Sequence, residues 1–299
     1  MAAKKIRKTT ADERAFYTIN YIYLGIMTII VLFPLLNILA QSFSSPNEVI
    51  GGRVVLWPRG FTLFAYRGLL RSPSVAAGYF NTLLYMIAGT CLNLLMTLIC
   101  AYPLSRAGFY GKNVFMFIFT FTMLFGGGMI PNYLLIKDLG LIDSRLVMIL
   151  PGAMSVWNMI LARTFFASTI PNELYESAEI DGASHIRMLL SIAIPLSGPI
   201  IAVLALFYAV GHWNSYFDAM LYLKTPRLFN IQLILRNALQ NINAMLDGTG
   251  ITLNQLEAMG IAEVSKYAMI VITMIPVLAI YPFVQKFFIK GVMIGSIKG

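Results

Sequence analysis

Charged side chains are scarce in this sequence. Asp, Glu, Lys and Arg together make up 12% of the 299 residues, whereas hydrophobic residues make up 58%. A water-soluble domain carries about 25% charged residues, because its surface must be hydrated. So few charges cannot cover a soluble fold, and the mean hydropathy of +0.75 agrees. The composition indicates an integral membrane protein, all-α, with room for about six spans of roughly 20 residues.

Acidic residues and histidines are too few or too scattered for several kinds of chemistry. No Asp or Glu lies well inside a predicted span, which argues against an ion-coupled secondary carrier, since such a carrier needs an intramembrane titratable group. His185 and His212 stand alone in the sequence, and we interpret each as a packed or solvated side chain rather than a proton relay. No metal-ligand cluster, nucleotide-binding glycine loop or nucleophile with a base is recognisable. We therefore expect neither an enzyme nor a resident cofactor or metal.

Only two cysteines are present, Cys91 and Cys100, and both fall in one apolar run. On a single helix they would lie about 13 Å apart along the axis, which is too far for a disulfide. We interpret both as small packing residues.

The positive charge is dispersed. A formal net charge of +9 includes one dense cluster, Lys4–Lys8, just before the first apolar stretch. Dispersed charge argues against a nucleic-acid partner, and the cluster indicates a cytoplasmic anchor near anionic lipid.

Six apolar stretches predict the spans, and the chain should begin and end in the cytoplasm. The predicted spans are 19–40, 80–104, 114–136, 146–166, 196–217 and 266–288. The predicted organisation is a cytoplasmic segment over 1–17, a membrane domain over 18–288 and a cytoplasmic tail over 289–299.

Glycine is concentrated in the third predicted span. Gly126, Gly127 and Gly128 are followed by Pro131, which predicts a broken or closely packed helix. In lipid, a broken helix is allowed only against protein or a water-filled cavity. Close packing is the favoured interpretation, and lining of a translocation path is the alternative.

A polar insert separates the fourth and fifth spans, within a cytoplasmic loop over 168–195. Pro171 suits a first helical turn, and Glu173 and Glu176 favour a helix N-terminus. Gly182 should end that helix, because glycine readily takes the left-handed conformation, and a second short helix should follow over 183–192. Small residues and carboxylates around the turn fit a docking surface for a basic partner. A solvated amphipathic loop would fit them equally well.

The insert resembles the EAA coupling loop of binding-protein-dependent ABC importer permeases. That motif reads Glu-Ala-Ala, three residues, Gly, nine residues, Ile, one residue, Leu-Pro. The matching residues are Glu176, Ala178, Gly182, Ile192 and Pro195. Ser177 replaces the first alanine, and Ile194 replaces the leucine.

Other segments are similar to the carbohydrate branch of that family, the maltose-permease type, and within it to permeases of lipoprotein-dependent polysaccharide and oligosaccharide uptake. They are 163–166, 170–171, 213–214, 281–286 and 291–293. The resemblance implies a type I ABC importer permease fold and a permease that moves an oligosaccharide across the bacterial cytoplasmic membrane. A permease for amino acids or peptides shares the coupling loop and is the alternative, ahead of an ion-coupled carrier.

The resemblance also implies partners. These are a second homologous permease, two ATP-binding subunits that bind and hydrolyse the ATP, and an extracytoplasmic solute-binding protein or lipoprotein. Membrane lipid surrounds the spans of the chain itself. The residues implied to couple to the ATPase are Glu176, Ser177, Ala178, Asp181, Gly182, Ala183 and Pro195.

Candidates for the substrate path follow from sugar chemistry, since sugars are held by aromatic faces and by amide or hydroxyl groups. The candidates are Trp157, Asn158, Trp213, Asn214 and Tyr216. An interfacial aromatic belt would equally explain Trp213 and Tyr216.

Overall fold

The structure is a computed structural model that describes the backbone of residues 11–246 and 253–296, with side chains over 12–240 and 258–279. Within these residues every regular element is helical, which confirms the predicted all-α class. The chain forms two compact units, Met1–Leu69 with Leu239–Ile272, and Leu70–Ala238 with Thr273–Gly299. The basic cluster at Lys4–Lys8 and the last three residues of the predicted tail lie outside the described residues.

The first unit begins with the long apolar helix α1 (Ala11–Ser42), followed by α2 (Pro46–Ile50) and the start of α3 (Phe64–Arg71). A 31-residue stretch of α1 is apolar enough to cross a membrane, which confirms the first predicted span. Pro34 lies inside this helix. The small core of the unit contains Ala40, Val49, Val54, Ala65, Val264 and Ala268.

The second unit is built around α4 (Pro73–Ser105), a 33-residue helix that matches the second predicted span. Helices α7 (Val156–Thr169) and α11 (Gly198–Trp213) pack along it. The shared core contains Leu98, Ala101, Tyr102, Leu104, Met159, Ala162, Phe166, Leu204 and Tyr208.

The third predicted span is broken at its glycines. Helices α5 (Lys112–Leu124) and α6 (Met129–Asp138) meet at an angle of 110°. Gly128 lies between them with φ +85°, a conformation that a residue with a Cβ rarely adopts. The predicted break is therefore confirmed. The favoured interpretation, close packing, is wrong within the described chain, because all three glycines are exposed and a Cβ on Gly126 or Gly128 would meet nothing within 4 Å.

The fourth span is shorter than predicted. A 3-10 turn over Arg145–Met148 is followed by irregular chain, and α7 has only 14 residues. Pro151 and Gly152 lie in that irregular segment. Proline lacks the N–H that an interior helical turn requires, and glycine weakens a helix, so the first half of 146–166 does not become helical.

The fifth span is a bent helix pair. Helices α8 (Asn172–Ile180) and α9 (His185–Met188) come first, and a π-helical segment then runs over Leu189–Ala193 into α10 (Ile194–Leu196). The helical run that starts at His185 meets α11 at 84°. Three described helices are long and apolar enough to span a membrane, or up to five if each bent pair counts as one span.

The C-terminal part is also helical where it is described. Helix α12 (Tyr216–Tyr222), a 3-10 turn and α13 (Ile231–Leu246) lie mostly between the fifth and sixth predicted spans. Helix α14 (Leu253–Ser296) contains the whole of the last predicted span and most of the predicted tail.

Candidate functional site

The polar insert folds as two helices joined by a tight turn, as predicted. The Gly182 N–H donates to the Glu179 carbonyl at 3.0 Å, and the Ala183 N–H donates to the Ala178 carbonyl at 2.9 Å. Gly182 has φ +73°. These two bonds around a left-handed glycine form a Schellman motif, which satisfies carbonyls at the end of α8. Ser184 then caps α9, since its hydroxyl accepts a hydrogen bond from the Arg187 N–H.

The inner face of this coupling loop is buried in the core of the second unit. Tyr175, Met188 and Ala193 are almost completely shielded from solvent and belong to the same cluster as the buried residues of α4, α7 and α11. The guanidinium carbon of Arg106 lies 3.5 Å from the centroid of the Tyr175 ring. The loop is therefore packed against the membrane helices rather than attached by its ends alone.

The contact between Arg106 and the Tyr175 ring should contribute measurably to the stability of the fold. Arg106→Gln removes the cation from the Tyr175 ring and should lower the free energy of unfolding by about 0.5–2 kcal/mol, the range of a cation–π pair. Arg106→Lys keeps a charge and should lose less. Thermal unfolding of the purified variants in one detergent measures both. Equal losses in the two variants would contradict the cation–π assignment.

The outer face of the coupling loop is bare. Glu176, Ser177, Asp181 and Gly182 are exposed, and a Cβ placed on Gly182 would meet nothing within 4 Å. The loop also exposes apolar side chains, with Ile180 87% and Ile186 71% accessible. Within the described side chains, no ion pair engages its carboxylates. Exposed apolar side chains surrounded by charges are the composition of a protein interface.

A cavity of about 800 Å³ lies in the second unit, near the opposite end of α11 from the coupling loop. Gly198 and His212 of α11 are about 21 Å apart along the axis at 1.5 Å per residue. The polar side chains that line the cavity are Asn93, Asn132, Ser155, Asn158, Tyr208, His212, Ser215, Asp218 and Tyr222. A cavity of this size can hold a small ligand.

A polar seam joins α4 to α11 beside this cavity. The Asn93 amide donates to the Gly152 carbonyl, so its oxygen faces His212 Nε2 at 2.7 Å. Because a carbonyl only accepts, this arrangement assigns the Nε2 proton to His212 as donor to Asn93. Next along the seam, Thr97 and Tyr208 hydroxyls are 2.6 Å apart.

A carboxylate clip holds two loops near the cavity. Asp143 Oδ1 accepts hydrogen bonds from the Lys224 and Thr225 N–H groups at 2.8 Å, and its Oδ2 accepts from the Thr225 hydroxyl at 2.7 Å. The Asp143 N–H donates to the Tyr222 carbonyl at 2.9 Å, and Tyr222 lines the cavity. The Thr225 hydroxyl, followed by the two N–H groups, lowers the pKa of the Asp143 carboxyl below its ordinary value.

This clip predicts a pH-dependent difference between the native chain and Asp143→Asn. Because the pKa is lowered on folding, the clip stabilises the fold above the unfolded pKa of about 3.9 and is lost as pH falls through the lower folded pKa. Asn tolerates the left-handed backbone seen at Asp143 (φ 56°). The variant therefore differs from the native chain mainly in the charge of this side chain. We expect the native melting temperature to exceed the variant's at neutral pH and to approach it as the pH falls from the unfolded pKa through the lower folded pKa. A difference that does not change with pH would contradict this account.

The structure places the predicted substrate-path residues in different surroundings. Asn158 is 6% exposed and lines the cavity. Trp157 is exposed, Trp213 is buried with its ring 6.3 Å from Tyr79, and Asn214 donates to the Val210 carbonyl at 3.0 Å. These three residues and Tyr216 do not line the cavity.

The sequence reasoning missed most of the cavity. Asn93, Asn132 and Asp218 were not candidates, and His212 was considered only as a packed or solvated side chain. Asn93 and His212 are polar residues within apolar helices, and such residues in a membrane chain mark functional or packing sites. That signal could have selected both residues.

Comparison with known proteins establishes the family. A family model described as "binding-protein-dependent transport system inner membrane component" matches residues 73–294, which include the coupling loop and the cavity. The chain belongs to this family. The inner membrane component is thus a multi-helix membrane protein, and the resemblance to binding-protein-dependent ABC importer permeases is confirmed.

Relatives of this inner membrane component are similar over nearly their whole length. Protein LplC of Bacillus subtilis (strain 168) is 39% identical, and the alignment covers all of this chain and all of LplC. The polygalacturonan/rhamnogalacturonan transport system permease protein YtcP of the same strain is 37% identical over 96% of this chain and 99% of its own. A solved chain from a bacterial ABC transporter involved in the import of the acidic polysaccharide alginate has a TM-score of 0.84 and 33% identity, with 94% of this chain and 99% of the other covered. The type I importer permease fold is thereby confirmed.

Proposed function

We propose that this chain is a permease subunit of an ABC importer that moves an oligosaccharide across the bacterial cytoplasmic membrane. A separate ATP-binding subunit, present in two copies, hydrolyses the ATP, and a second homologous permease completes the path. The chain itself carries no catalytic role. An extracytoplasmic solute-binding protein or lipoprotein delivers the sugar.

The observation that carries this proposal is the construction of the coupling loop. Its outer face is bare, whereas Tyr175, Met188 and Ala193 fix its inner face in the core shared by α4, α7 and α11. A protein that moves the outer face therefore moves the helices with it, because packed interiors transmit displacement. Ile180 and Ile186 supply apolar contact area, and the carboxylates of α8 supply charge to pair with a basic groove.

The orientation follows from the same loop. Since it must meet an ATP-binding subunit, it faces the cytoplasm. We place both ends of the chain on the same side because of the basic cluster Lys4–Lys8 before the first span and the lysines after the last one. The cavity, about 21 Å away along α11, then lies toward the outer half of the membrane. Its amides, hydroxyls and aromatic rings are the groups that hold sugars.

The oligosaccharide assignment rests on two supports. The first is the set of curated relatives, among which the YtcP relative and the arabinooligosaccharide permease AraQ of Halalkalibacterium halodurans are named for saccharide transport. The second is the polar lining of the cavity. An importer for amino acids or peptides would use the same coupling loop and remains the alternative.

The test is uptake of a panel of labelled oligosaccharides by cells with and without the chain, with affinity purification from the same membranes. We expect an ATP-binding subunit to co-purify and the uptake of one class of saccharide to disappear. Co-purification with every saccharide unaffected would reject the sugar and retain the importer. No co-purifying ATP-binding subunit would reject the importer itself.

A further inference from the structure

The cavity lining carries negative charge without a balancing positive charge among its described residues. Asp218 is the one acidic side chain in it, and neither Lys nor Arg is among the lining residues that the structure describes. A cavity that recognises a carboxylate ligand normally presents Arg or Lys, because these give charge-assisted and often bidentate hydrogen bonds. Here a carboxylate ligand would meet a carboxylate instead.

The hydrogen bonds already made decide which lining groups are free. Asn93 is engaged by Gly152 and His212, and the Tyr208 hydroxyl is engaged by Thr97 and by the Ser155 N–H. These groups hold helices together and cannot turn toward a ligand without breaking the seam.

Of the four amide and carboxylate side chains in the cavity lining, three remain available. Within the described part of the chain, the side chains of Asn132, Asn158 and Asp218 make no hydrogen bond, and all three line the cavity. Asn158 is 6% exposed and lines the cavity, and its amide is not among the fully buried polar groups that lack a partner. An amide at a cavity wall with no partner within the protein is free to exchange hydrogen bonds with a ligand.

The chemistry of these three groups fits hydroxyls. Two amides both donate and accept, and a carboxylate accepts only. A neutral sugar offers hydroxyls that donate to the carboxylate and exchange bonds with the amides, and Phe207 and Tyr222 add aromatic surface to the lining. A uronic acid would place its own negative charge near Asp218, and like charges at close range repel.

We propose that Asp218 makes this cavity selective for neutral sugar residues over uronic acids. Its carboxylate accepts hydroxyl hydrogen bonds from an uncharged oligosaccharide, beside the amides of Asn132 and Asn158, and repels a carboxylated one. This selectivity rests on the proposed function, since it concerns the path of the same substrate. It sets this chain apart from the alginate transporter, which is involved in the import of an acidic polysaccharide, and from the YtcP relative, which is named for transport of polygalacturonan, a polymer of a uronic acid.

The test compares uptake of two labelled probes that differ only in charge, trigalacturonate and its carboxyl-reduced neutral counterpart, alongside the saccharide that the uptake panel selects. Native cells are compared with Asp218→Asn and Asp218→Lys, while the binding protein stays the same, so any change in the acidic-to-neutral uptake ratio belongs to the permease. The matched control is Asp138→Asn, an exposed acid of α6 outside the cavity lining.

We expect the panel to select a neutral saccharide, and Asp218→Asn to raise the acidic-to-neutral ratio about fivefold, the value of one like-charge contact in water at about 4 Å. Asp218→Lys should raise it further, and Asp138→Asn should leave it unchanged. A uronic acid as the selected saccharide, or a ratio that Asp218→Asn changes no more than Asp138→Asn does, would overturn the selectivity while leaving the importer intact. If cells without the chain keep the uptake of every saccharide in the panel, the oligosaccharide assignment is rejected, and the selectivity with it.

Discussion

Gly182→Trp should abolish uptake while the protein still inserts in the membrane. Gly182 stands at the turn of the coupling loop with φ +73°, its own chain leaves open space around it, and the loop before it is exposed. A Cβ there meets nothing within 4 Å in this subunit, and the indole beyond it would fill the gap into which an ATP-binding subunit must close. Overpacking of an interface costs roughly 1–3 kcal/mol, equivalent to a loss of affinity of about five- to 150-fold. Uptake and co-purification of the ATP-binding subunit should fall together.

The matched control is Gly52→Trp. Gly52 also has a left-handed backbone, with φ +63°, and open space around it, so the two substitutions impose the same backbone strain of about 1–2 kcal/mol. Gly52 follows α2, is remote in sequence from the coupling loop and does not line the cavity. Membrane insertion should be equal in the two variants, and uptake should survive in Gly52→Trp. Normal uptake by a correctly inserted Gly182→Trp variant would count against docking at this turn.

Gly89→Leu should destabilise the second unit strongly. Gly89 is buried on α4, and a Cβ at this position would overlap the His212 ring of α11. The ring can withdraw only by breaking its hydrogen bond to Asn93. Overpacking together with loss of that bond should lower the free energy of unfolding by roughly 2–4 kcal/mol. Thermal unfolding of the detergent-purified variant measures the loss.

Gly25→Leu is the control for that substitution. Gly25 lies on α1, and a Cβ there would meet nothing within 4 Å. The added side chain and the gain in helix propensity are the same, so this variant should unfold at or above the native temperature. A loss of stability as large in Gly25→Leu as in Gly89→Leu would mean that the seam between α4 and α11 contributes nothing specific.

The elements that the sequence predicts well are those fixed by local chemistry. Composition indicates the membrane class, the glycines at 126–128 break the third span, and Gly182 ends α8 where its conformational freedom is needed. These features depend on a few neighbouring residues. The coupling loop is recognisable for the same reason, since its motif is continuous in the sequence.

The cavity is harder to predict because it depends on contacts between distant segments. Asn93 and His212 are separated by more than a hundred residues, yet they share a hydrogen bond. Trp157 and Trp213 are predicted as substrate contacts from residue type alone. Trp157 is exposed and Trp213 is buried, and neither lines the cavity. The helix in the fourth span is shorter than the apolar composition of 146–166 predicts, because Pro151 and Gly152 keep the chain before α7 irregular.

Site-directed cross-linking from the coupling loop tests the central claim most directly. In a background of Cys91→Ser and Cys100→Ser, a cysteine introduced by Ser177→Cys carries a photoactivatable cross-linker, and Gly140→Cys serves as the control. If the loop docks on an ATP-binding subunit, position 177 should cross-link to that subunit, with a yield that changes when ATP is added, and position 140 should not. Cross-links from position 177 to lipid alone, or equal yields from both positions, would contradict the account.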